Sequence, residues 1–250
     1  MILLINPIAP VTAASFLTAA AGYPATNALN SQILRPWKSS SNAANADALI
    51  VDLGTPLAIT AVAVTQTNFS RFGVYADNTT FPTTVLGTLN TAQDAQGRYK
   101  GSLVASATAR YINFKCPSSL DTPVDGNNWT IGAVYVYTTA PYTTPRDPLF
   151  GSSSLDLSTP QSRIDLDNGS VVRDTTGPSF QTINLDFTGG AGDDHEQIQQ
   201  YTRAGICWLN LSNPSAPWEQ WPVRHIDPKI TRKLAGFNRE LVSISLKEEV

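Results

Sequence analysis

A chain of 250 residues, 42% of them apolar, can bury the core of one large β domain or two ordinary ones. Only 15% of the residues are charged and the net charge is -3, so no basic surface can neutralise a run of phosphates, which excludes nucleic acid as a specific partner. No stretch reaches the ~18 uninterrupted apolar residues of a membrane-spanning helix.

The opening "MILLINPIAPVTAASFLTAAAGYPA" has no Lys or Arg ahead of its apolar run, and Pro7 and Pro10 interrupt it, so it is not expected to be a secretory leader. Further along, "ALIVDLG", "AITAVAVTQTNF", "FGVYAD", "TVLGTL", "ARYINFKC" and "WTIGAVYVYTT" are short, β-branched and bounded by turn residues. This pattern predicts strands of a β-sandwich over residues 1–140. Tyr135 and Tyr137 alternate with Val134 and Val136, so one face of that strand is expected to point outward. "AASFLTAAAGYPATNALN" is expected to make only a short turn closing one end of the sandwich.

Residues 141–154, rich in proline and without periodicity, read as a connector. From 155 to 250 a second β-rich domain is expected. There "SRIDL" and "SVVRD" flank the turn sequence "DNGS" as a hairpin. In "GDDHEQIQQYTRAGICWLNL", Asp193 or Asp194 caps a predicted helix that packs on the sheet and ends at Gly205, and "ICWLNL" leaves it as a strand. The alternating "ELVSISLKEEV" reads as a closing strand. The expected class is therefore mainly β, a jelly-roll sandwich followed by a β-rich domain with one helix.

No cofactor and no metal site is predicted. His195 and His225 lack metal-ligand spacing, no phosphate-cradling or nucleophile-elbow motif occurs, and "DLDNG" lacks the late Glu of a calcium loop. Cys116 and Cys207, read as lying in different domains, are expected to be reduced, buried small hydrophobes. Asp156, Asp165 and Asp167 are the only support for glycoside hydrolysis, so no catalytic residue is assigned. The candidate contact residues for glycan or protein are Arg71 and Trp129, near predicted loops, and Trp218 and Trp221, in the proline-punctuated "NPSAPWEQWPV".

"ATNALNSQILRPWKSSS", "ALIVDLGTPLAITAVAVTQTNFS", "ARYINFKC" and "WTIGAVYVYTT" together resemble the discoidin, or galactose-binding-like (F5/8 type C), jelly rolls over about 110 residues. The resemblance implies that Trp37 plugs one end of the sandwich, so that Trp37→Ala costs stability before binding. The Asp-Gly-Asn loop that precedes this Trp in sugar-binding relatives is absent from "TNALNSQILRPW", and no calcium ligand carries over.

Joined to a β-rich domain that closes on "GFNRELVSISLKEEV", the whole chain looks like the distal tail and other tail-tip structural proteins of long-tailed bacteriophages. That resemblance implies a non-enzymatic, homo-oligomeric ring in the virion, assembled in the host cytoplasm and linking the tail tube to the tail hub, with one domain free to touch host surface glycan. The scarcity of Lys and Glu suits a subunit whose faces are covered by neighbours. The other reading of the same residues is a carbohydrate-binding module.

Overall fold

Small and β-branched residues recur along Asp47–Thr67 and Tyr99–Lys115, the two longest strands among the described residues, which pair antiparallel. In this computed structural model the described residues are 2–4, 12–14, 19–29, 36–40, 47–94, 97–115, 128–143, 153–159, 161–165, 171–175, 179–189, 206–211, 217, 219–225, 231–236 and 239–248. Among them the structure is mainly β, and the helical content is a single 3-10 turn, Ala25–Leu29. The chain forms two compact units. One comprises Ile2–Thr143 with Cys207–Trp221, the other Thr144–Ile206 with Pro222–Val250.

In the first unit the main sheet runs Ala133–Tyr137, Asp47–Thr67, Tyr99–Lys115, Arg71–Asp77, Val85–Asn90, with every neighbouring pair antiparallel. Register places Val134 opposite Val64 and Val136 opposite Val62, and these four side chains join Leu49, Val74, Ile112 and Phe114 in the buried core. A short ribbon of Trp37–Lys38 with Thr130–Ile131 adds Trp37, Trp129 and Ile131 to the same core. Trp37 is buried, as a plug requires.

The expectation of an outward face on Ala133–Tyr137 is corrected, because all five residues are buried. Tyr135 and Tyr137 stand opposite Ala63 and Ala61, whose small side chains leave room for the rings. Sequence-distant residues cover them, with Trp208 placing its ring centroid 5.9 Å from that of Tyr135. Cys207–Asn210, expected as a strand of the second domain, pairs instead with Ile2–Leu4 in the first unit, and Ile2–Leu4 also pairs with Tyr142–Thr143.

In the second unit Phe180–Gly189 lies between Ser154–Ser158 and Arg239–Glu248, and Thr231–Gly236 also pairs with Arg239–Glu248. Ile183, Leu185, Phe187, Ile244 and Leu246 form one buried face. The opposite face is polar: Ser245 Oγ donates to Asn184 Oδ1 at 2.7 Å, and Asn184 Nδ2 donates to Ser154 Oγ at 3.2 Å. The expected hairpin forms as Gln161–Asp165 with Val171–Thr175, and the expected closing strand as Arg239–Glu248. The predicted helix with His195, as well as Cys116, Asp167 and Trp218, lies outside the described residues.

Candidate functional site

Asn68 organises one end of the first unit. Its Nδ2 donates to the Asn128 carbonyl oxygen and its Oδ1 accepts from the Thr130 backbone N–H, both at 2.9 Å, so one amide satisfies two backbone groups of the neighbouring loop. Asn128 repeats the device one segment further on, its Nδ2 donating to the Ser39 carbonyl oxygen at 2.8 Å. Ser39 Oγ accepts from the Trp129 N–H at 2.9 Å, and the Ser39 N–H donates to the Trp129 carbonyl oxygen at 2.9 Å. Lys38 extends the series, its carbonyl oxygen accepting from the Ala20 N–H at 2.9 Å and its N–H donating to the Tyr23 carbonyl oxygen at 3.5 Å. The segments around Tyr23, Lys38, Asn128 and Asn68 are thereby tied side by side in that order.

A rigid aromatic floor supports these loops. Phe69 sits 3.9 Å from Phe72 and 5.4 Å from Trp129, centroid to centroid, and its carbonyl oxygen accepts from Thr67 Oγ1 at 3.1 Å and from Thr91 Oγ1 at 2.6 Å. Gln66 has a left-handed φ of 51°, a conformation that costs a non-glycine residue roughly 1–2 kcal/mol and concentrates where loops do work. Close approach explains the glycine beside it, since a Cβ on Gly132 would lie 2.6 Å from Gln66 Cβ.

Among the residues in and beside these tied segments, Tyr23 is 38% exposed, Lys38, Gln66, Asn68, Arg71 and Thr130 are half-buried, and Ser70 and Asn90 are exposed. Amides, hydroxyls, two cations and one open ring can hydrogen-bond to and stack on a hydroxyl-rich ligand.

Of the predicted contact residues, Trp129 packs against Phe69 at this end, and Arg71 follows Phe69 by two positions in the chain. Arg71 opens its strand opposite Asn90. Trp129 is corrected from contact platform to floor, being only 1% exposed. Trp221 is likewise withdrawn from the surface: it is 3% exposed, with Lys100 Nζ 4.7 Å above its ring. The sequence reading missed Tyr23, Gln66 and Asn68. Tyr23 carried a usable signal, because a ring set between Gly22, at φ 81°, and Pro24 sits in a turn rather than a strand or helix.

Two further polar clusters lie among the described residues of this unit. Arg110 forks Asp52 through Nε at 2.8 Å and Nη2 at 2.9 Å, opposite the register shift between Asp52 and Leu57. Asp94 accepts the Arg98 N–H at 2.9 Å and pairs with Arg98 at 3.0 Å and Lys100 at 3.3 Å. Burial pushes the Cys207 thiol up to about 12, which leaves it a packed hydrophobe with negligible thiolate at neutral pH.

No family model matches the chain, and no curated protein matches it. Solved structures similar to it include chitosan-binding module 1 from a Paenibacillus sp. IK-5 chitosanase/glucanase, at 19% identity and a TM-score of 0.40, covering 53% of this chain and 98% of that one. CBM32-3 from a Clostridium perfringens family 31 glycoside hydrolase aligns at 14% identity and a TM-score of 0.38, covering 52% and 90%. The lectin domain of lectinolysin, complexed with Lewis B antigen, aligns at 19% identity and a TM-score of 0.40, covering 54% and 98%.

Proposed function

We propose that this chain is a non-enzymatic glycan-binding protein whose first unit takes a neutral, hydroxyl-rich saccharide at the loop end of Tyr23, Lys38, Gln66, Asn68, Arg71 and Thr130. The observation that carries the reading is the pairing of an open aromatic ring with pre-organised amides: Tyr23 is exposed, while Asn68 and Asn128 are held by hydrogen bonds of 2.8–2.9 Å. Side chains already locked in place lose little entropy on binding. A glycan array followed by titration calorimetry tests it. Tyr23→Ala should weaken affinity about fivefold or more, the loss of an aromatic contact worth about 1 kcal/mol, with no change in melting temperature. Absence of glycan binding, or binding indifferent to Tyr23→Ala, would sink the reading.

A second reading, the ring component of a phage tail tip that joins tail tube to hub, draws support from the scarcity of charged residues, 15% of the chain, which suits a subunit whose faces are covered by neighbours. In it, glycan binding serves host adsorption from the virion. Negatively stained particles of the purified protein and of virions test it: rings, or density at the tail tip, are expected, and a strict monomer absent from virions counts against it.

A further inference from the structure

The edge strand Ser154–Ser158 reads Ser-Leu-Asp-Leu-Ser, the same from either end, and the flanking Ser153 and Thr159 extend the symmetry with a second pair of hydroxyls. Among the described residues it is the last strand of its sheet, so one side of its backbone ladder faces away from Phe180–Gly189. Its two leucines are 41% and 51% exposed and lie on the apolar side of the sheet, because register aligns Leu246, Ile183 and Leu155 in one row. The buried core row therefore runs off the edge into solvent.

We infer that this edge is an isologous contact, at which a second copy of the chain pairs antiparallel about a two-fold axis through Asp156. A two-fold contact requires that residue i meet j while j meets i. The palindrome satisfies this with apolar partners: Leu155 faces the partner's Leu157, and Leu157 faces the partner's Leu155. The apolar rows of the two sheets then become continuous, and the open N–H and C=O groups gain partners. Asp156, exposed on the polar side, opposes the partner's Asp156, and like charges directly opposite weaken a strand pair. The strand is short, so the dimer is weak and reversible, and the opposed carboxylates moderate it. This contact is a closed pair, distinct from a ring, and does not depend on glycan binding.

Sedimentation equilibrium of the full chain at neutral pH, over a wide concentration range, tests the pair. Wild type should show a reversible monomer–dimer equilibrium. Asp156→Asn should tighten it about twofold to fivefold. Leu155→Ser with Leu157→Ser should abolish it while the variant keeps a cooperative thermal transition only modestly lowered, since both side chains are about half exposed. The inference is overturned if wild type and Asp156→Asn both stay monomeric, if the double serine variant dimerises as wild type does, or if association continues past the dimer.

Discussion

Gln66 shows what a single residue contributes to the loop end. Its left-handed backbone, φ 51°, stores strain that glycine would relieve, and the relief is partly offset by the entropy glycine loses on folding. Gln66→Gly should therefore be neutral or stabilising, by at most about 1 kcal/mol, in thermal denaturation, and on the proposed glycan-binding reading it should weaken binding through loss of a polar side chain. Asp52 makes a different kind of contribution. The hydrogen bonds from Arg110, with help from the Gly54 N–H and against a smaller desolvation effect, hold its carboxyl below the ordinary 3.8. A depressed folded value means the stabilisation is complete above the unfolded value and is lost as pH falls through the folded one. Asp52→Asn should thus lower stability at neutral pH and flatten the loss of stability below about pH 4, as followed by urea denaturation across pH. The effect is small because the pair is partly exposed.

At the scale of elements, Ala133–Tyr137 depends on the segment Cys207–Trp221. Trp208 packs beside Tyr135, its Nε1 donates to Gln220 Oε1 at 3.2 Å, and Ser102 Oγ donates to the same oxygen at 2.9 Å. Gln220 in turn donates from Nε2 to the Pro217 carbonyl oxygen at 2.9 Å. Trp208→Ala removes a fully buried ring and frees one lone pair of Gln220, so it should cost about 3–5 kcal/mol, read from chemical denaturation. The strand pattern was visible in the sequence because alternation at period two is a local property. Strands Gln161–Asp165 and Val171–Thr175 pair as expected, with Asp165 opposite Val171, one residue off the register of a two-residue Asn-Gly turn, and the closing strand Arg239–Glu248 forms where alternation placed it. The burial of both faces of Ala133–Tyr137 was not visible, since its cover comes from a segment some seventy residues downstream.

For the whole molecule, the contribution of Cys207–Trp221 to the first unit means that a chain ended at Thr143 lacks part of its own fold. Such a fragment exposes Tyr135 and Tyr137 and leaves Ile2–Leu4 without its Cys207–Asn210 partner. It should melt lower than the full chain and bind a hydrophobic dye, and appending residues 207–221 through a flexible linker should reverse both effects. Equal melting temperatures with and without the appended segment would contradict this division of the chain.

By itself the sequence determined that this protein is mainly β and where the hairpin strands and the closing strand lie, and its family resemblance placed Trp37 in a core. The strand assignments rest on short-range periodicity and turn residues, which act within a few residues. Only the tertiary structure decided which aromatic rings meet solvent: it buried Trp129 and Trp221 and left Tyr23 open. It also drew Tyr23, Lys38, Asn68 and Asn128 from distant parts of the chain into one hydrogen-bonded end. Exposure and convergence depend on which segments happen to cover one another, and that is settled by packing between strands far apart in sequence, where local pattern carries no signal.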